Sequence, residues 1–195
     1  NTTTSRVDTS THTANIGALG ATSWDFSTLV NNYSVMTVAV RPDTTALFSY
    51  FPGATHAIKT GTGYTYYKLA TNLEFLGYAQ PPPSEIRTKD IPPQVIDQLP
   101  MTMGTSWTAT YAESSYVTIS GTTYKSLANH VVVYTVDAYG SMTLPGGGVR
   151  QALRVKSDRH TTVGSFTIRT ISYQFLAKDG AAVSVVPADT NQPVT

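Results

Sequence analysis

The sequence predicts an all-β fold, an antiparallel β-sandwich or half-barrel of roughly ten to twelve strands with almost no helix. Three observations carry that prediction. Thr is very frequent and Tyr numbers 12 in 195 residues, and both residue types fit a pleated surface better than a helix. Runs of β-branched and aromatic residues recur along the chain, separated by Gly, Pro, Asn and Asp. The clearest run is Asn129–Lys156, which reads as a ribbon of antiparallel strands.

Taken in order, residues 1–14 are polar, rich in Thr and Ser, and read as an N-terminal arm. A single all-β domain is expected over 15–186, followed by a C-terminal linker at 187–195. Ala14–Ala21 is small and apolar, and Trp24 and Phe26 anchor the entering chain against the core. Ser34–Arg41 is a strand ended by Pro42, and Pro42-Asp43-Thr44-Thr45 is a turn. Ala46–Tyr50 is a short apolar run, and Ala54–Lys59 reads as one helical turn.

Tyr64–Ala70 and Leu73–Ala79 form a hairpin around Thr71-Asn72. Its aromatics put one face in the core; an exposed stripe on the other would stack on sugar rings. Residues 80–100 hold six prolines, which cannot join a central ladder. They read as a crossover along the outside of the sheet. Gly104–Tyr111 opens the second half, and Tyr116–Ile119 pairs with Thr122–Lys125 across Ser120-Gly121.

In the ribbon, alternation places His130, Val132, Tyr134 and Val136 on one face. Asp137–Gly140 reads as a turn and Ser141–Leu144 as a short strand. Gly146-Gly147-Gly148 is a turn and not a phosphate cradle, because no lysine, hydroxyl and helix follow it. Gln151–Ser157 continues with Leu153 and Val155 facing one way and Arg154 and Lys156 the other. Ser165–Ala177 is a long strand paired with Ala181–Val186.

Composition narrows the function. The net charge is +1 and charged residues are 13%, about half the usual ~25%. No basic footprint for nucleic acid exists, and no run of ~18 apolar residues spans a membrane. With no Cys, disulfides and thiolate chemistry are excluded. His12, His56, His130 and His160 lack metal-ligand spacing, and no Gly-x-Ser-x-Gly elbow supports a nucleophile. His130 reads as a packed strand residue and His160 as part of a polar turn. The glutamates Glu74, Glu85 and Glu113 show no spacing that marks a glycosidase pair. No catalytic residue, metal or cofactor is expected, and the chain reads as a non-enzyme.

Four segments match in order, over most of the chain, a group of secreted β-rich proteins of Bacteroidota and Ignavibacteria type. They are Asn15–Leu29, Phe51–Leu69, Pro100–Tyr111 and Val136–Ser157. The resemblance implies cargo of type IX secretion, delivered to the cell surface or the exterior, with a C-terminal sorting domain that this sequence does not include. The Asn1-Thr2-Thr3-Thr4 start reads as a processed end. In such bacteria Asp43-Thr44-Thr45 resembles an O-glycan signal at Thr44. Asn1-Thr2-Thr3 and Asn32-Tyr33-Ser34 match the N-glycan sequon, at Asn1 and Asn32.

Two functions fit these properties. One is a self-assembling structural subunit of a filament or matrix, in which Thr2, Thr3, Thr4 and Val7 of the arm add a strand to a neighbour's sheet. The other is a binding module for a lipid, glycan or other small ligand. It expects an apolar cavity lined by residues such as Val132, Tyr134 and Phe175.

Overall fold

From β3 onward, each strand pairs with the next in the chain. In the computed structural model, which describes residues 2–7, 15–30 and 33–186, twelve strands build one open sheet. They are β1 (Thr2–Val7), β2 (Ser23–Asp25), β3 (Tyr33–Val40), β4 (His56–Thr60), β5 (Gly63–Leu69) and β6 (Asn72–Gln80). Then follow β7 (Glu85–Gln98), β8 (Ser106–Ile119), β9 (Thr122–Thr143), β10 (Val149–Val163), β11 (Phe166–Ala177) and β12 (Ala182–Val185). The path runs β1-β3-β4 and on in chain order to β12, antiparallel throughout, while β2 pairs parallel with the end of β9. The predicted all-β fold is what forms. It is one sheet, curled so that β5 to β11 face a common cleft, which is the half-barrel of the two expected architectures. Among the described residues, no helix is long and apolar enough to cross a membrane.

Short turns explain the meander. Tight reversals at Ser120-Gly121 (φ 50° and 79°) and at Gly146-Gly147 need the left-handed backbone that glycine supplies. Inward alternation holds as read: His130, Val132, Tyr134 and Val136 are all buried. Val132, Tyr134 and Val136 belong to an interior cluster with Ala109, Tyr111 and Val155.

The outer face carries two further clusters, each covered by a loop. Trp24 and Phe26 pack edge-on against Phe175, at 4.9 and 4.8 Å between ring centres, over Tyr173, Met142 and Ala152. They are 2% and 1% exposed, the anchoring expected of them. At the other end Phe51 stacks on Tyr66 at 4.2 Å, above Ala57, Leu76 and Ala79. Gly77 permits this, since a Cβ there would stand 2.6 Å from the Phe51 ring and 2.1 Å from the Thr88 carbonyl oxygen.

Several expectations need correction. Asp137–Gly140 is not a turn; β9 runs through it, with Asp137 as an extra residue in a β-bulge opposite Arg154 and Val155. The proline-rich stretch is not an outside crossover, because Glu85–Gln98 is strand β7 between β6 and β8. Ala54–Lys59 is not helical; His56–Thr60 is β4, and 3-10 turns occupy Pro42–Thr44 and Phe48–Tyr50. His160 lies in β10, not in a turn. Of the arm, Thr2–Val7 is the edge strand of the chain's own sheet, paired with β3 from Thr2↔Val38 to Val7↔Tyr33. The linker at 187–195 lies outside the described residues.

Candidate functional site

The site begins with two prolines. Along β7 the ladder to β8 runs from Glu85↔Thr118 to Ile91↔Ala112 and stops there. Pro92 and Pro93 carry no N–H, so the ladder cannot continue through them. The register toward β6 jumps at the same place, from Gly77↔Lys89 to Phe75↔Gln94. Beyond this bulge β7 leaves β8 and follows β6 alone. That departure opens a cleft of about 490 Å³ inside the half-barrel.

Gln94, Ile96 and Asp97 of the departing half of β7 form one wall, with Tyr67 of β5 and Phe75 of β6 behind them. Tyr67 and Phe75 meet edge to face, 5.9 Å apart. Across the cleft stand Arg159 and Ser157 of β10 and Gln174 and Ser172 of β11, the two serine hydroxyls bonded at 2.7 Å. Tyr111 and Glu113 of β8 and Tyr134 of β9 make the floor.

The walls are braced. Trp107 donates from its indole nitrogen to the Val95 carbonyl at 3.0 Å, tying the departed strand back to β8. Its ring stacks on Tyr134 at 4.7 Å, and the Gln94 amide donates to the Tyr134 hydroxyl. Tyr111 stacks on His130 at 4.7 Å, while His130 Nδ1 lies 3.0 Å from the Thr161 hydroxyl. The Arg159 guanidinium sits 6.0 Å from the Tyr111 ring centre.

Asp90 is the residue that stands out. It is 2% exposed, and its Oδ1 has no hydrogen-bond partner. Burial pushes its carboxyl up to about 7; Glu113, its direct partner across β7 and β8, adds to the rise, and Arg159 opposes it. Burial also raises Asp97. His130 is lowered, chiefly by burial and then by Arg159, which keeps the imidazole neutral near pH 7. Tyr134 is raised by burial.

Thr44 and the arm residues Thr2, Thr3 and Thr4, expected as site residues, do not line this cleft. Thr44 is exposed in the first 3-10 turn, and its hydroxyl donates to the Arg41 carbonyl at 2.7 Å. Asn1 and Asn32 lie outside the described residues. Thr2, Thr3 and Thr4 are exposed on β1, and Val7 ends it.

The expected apolar cavity is a polar cleft, and of its three named residues only Tyr134 reaches it. Val132 is sealed in the interior cluster, and Phe175 points to the opposite face against Trp24. Asp90, Gln94, Glu113 and Arg159 were missed. The available signals were a carboxylate just ahead of Pro92-Pro93 and the inward alternation of Tyr111 with Glu113. No protein-family model, curated protein or solved structure matches the chain.

Proposed function

We propose that this chain is a non-enzymatic binding module that takes a small polar ligand in the cleft of its half-barrel, at the cell surface or outside the cell. The observation that carries the reading is the buried Asp90 oxygen without a partner, at the wall of a cleft with room for a ligand. Leaving such a group unpaired costs about 1–3 kcal/mol, a cost that a bound donor removes. The low charge, the lack of Cys and the resemblance to secreted proteins support the location.

Thermal unfolding against a panel of sugars, amino acids and amines tests it. A ligand at about 100 times its Kd adds about 2.7 kcal/mol of stability. At least one panel member is expected to raise the melting temperature of the native chain and to lose that effect in Asp90→Asn. A panel that shifts nothing overturns the reading.

A second reading, self-association, is favoured by one observation. Among the described residues β1 lies at the edge of the sheet, paired on one side only, with Thr2, Thr3 and Thr4 exposed. Light scattering and electron microscopy of the intact chain, compared with a chain lacking residues 1–7, test it. Particles of unchanged size in both end it. Glycosylation at Thr44 belongs with this surface role, and intact mass of native material checks it.

A further inference from the structure

We infer that the ligand of this cleft is an organic cation, an amine held at Asp90 and its cross-strand partner Glu113, in a cleft that Asp97 also lines, against aromatic walls. The inference rests on the binding reading above and names its ligand class.

The first argument is charge. The whole chain is nearly neutral, at +1, yet the cleft gathers three carboxyl groups around one guanidinium, that of Arg159. Arg159 also lies over the Tyr111 ring, 6.0 Å from its centre. Asp90 and Glu113 are direct cross-strand partners, where like charges destabilise a sheet. The fold gains no internal bond at Asp90 Oδ1 in return. A cation lodged beside that oxygen makes the bond and relieves the repulsion.

The second argument is the walls. Tyr67, Phe75, Tyr111 and Tyr134 line the cleft, and an aromatic ring attracts an ammonium group desolvated against it. A metal ion fits less well, because among the described residues no three His, Cys, Asp or Glu side chains converge as ligands. A neutral sugar would use the rings and amides but leave the carboxyl excess uncompensated.

The pH dependence follows. The titratable groups facing Asp90 are Asp97 on its own strand, Tyr111 and Glu113 on β8, His130 and Tyr134 on β9, and Arg159 on β10. Asp90 itself has its carboxyl pushed up to about 7, inside the range tested, so its ionisation sets the response. An ammonium ligand requires the ionised carboxylate, so binding below pH 7 releases a proton.

Isothermal titration calorimetry of the full chain with spermidine, and separately with maltose as the neutral probe, tests the inference. Spermidine is expected to bind about tenfold more tightly at about pH 8 than at about pH 6, with proton release at the lower pH. Asp90→Asn and Glu113→Gln each weaken it by at least about tenfold, while Thr44→Val leaves it unchanged. Maltose binding without spermidine binding overturns the cation and leaves the binding cleft standing. Spermidine binding that ignores pH and both variants overturns the inference as surface attraction. Binding of neither, while another panel compound without an amine binds, overturns the cation alone; no binding by any compound overturns both readings.

Discussion

Arg154 grips Asp137 with two bonds, Nε to Oδ1 at 2.7 Å and Nη2 to Oδ2 at 3.1 Å, and the two side chains are only 1% and 8% exposed. The same guanidinium donates to the carbonyls of Ile16, Gly17 and Ala18. One side chain thereby closes the bulge in β9 and pins the incoming segment to the outer face. The fork geometry of arginine suits it to five bonds at once.

Removing one member of that pair leaves a buried charge alone. Arg154→Met is therefore expected to cost about 3–5 kcal/mol in urea unfolding. Arg154→Lys recovers only part of that loss, because a point charge cannot reach the carboxylate and three carbonyls together. Combining Arg154→Met with Asp137→Asn should cost less than the sum of the single changes, since the pair is coupled.

Gly140 lies in β9 just before its parallel pairing with β2, and a Cβ added there would stand 2.2 Å from the Thr22 carbonyl oxygen. That oxygen accepts from the Ser141 N–H at 2.9 Å. Gly140→Ala must push β2 away or bend β9, and is expected to cost about 1–3 kcal/mol. Loss of the buried environment of Trp24, read by fluorescence in a Trp107→Phe background, locates the damage at β2.

The Asp90 contribution to stability should fall as pH rises through the acid range. The Asp90 carboxyl has its folded pKa raised to about 7 from an ordinary value of 3.8. Between those values the folded state binds more protons than the unfolded state, so stability drops by up to about 1.4 kcal/mol for each pH unit. The contribution is present below the unfolded value and is lost as pH climbs through about 7. Urea unfolding of the chain and of Asp90→Asn across this window checks it: the variant's curve should be flatter. Equal slopes would rule out Asp90 as the cause.

Trp107 braces the strand half that makes the cleft. Trp107→Phe keeps a ring against Tyr134 and loses the donor to Val95 O. Amide exchange of Gln94–Gln98 should speed up by roughly tenfold, consistent with a net hydrogen bond of about 1 kcal/mol plus some lost packing. Exchange in the β10–β11 ladder should not change. Faster exchange everywhere would mean global destabilisation instead.

Local chemistry made much of the fold legible. Strands showed where β-branched and aromatic residues alternate, as in His130–Val136, and turns showed where glycine must take positive φ, as at Gly146-Gly147. Asp137–Gly140 was misread because a charged residue and a glycine in sequence look like a turn. In the fold Asp137 is a bulge held by a partner 17 residues away. Pro92-Pro93 was misread because prolines exclude a regular ladder, whereas a strand can carry them at a bulge where pairing on one side ends.

The candidate site was legible only in part. Tyr134 was expected to face a cavity and does. Asp90 and Glu113 sit 23 residues apart on paired strands, and their meeting depends on the register between β7 and β8. No local pattern encodes that register.

Alternation and turn residues alone determined an all-β chain, its hairpins and the inward face of β9, because these depend on neighbours along the backbone. Tertiary structure decided that the strands form one open sheet, that Arg154 is buried and that Asp90 faces a polar cleft. Each of those depends on pairing across the sheet, where burial turns a charged side chain from an ordinary surface group into a staple or a site.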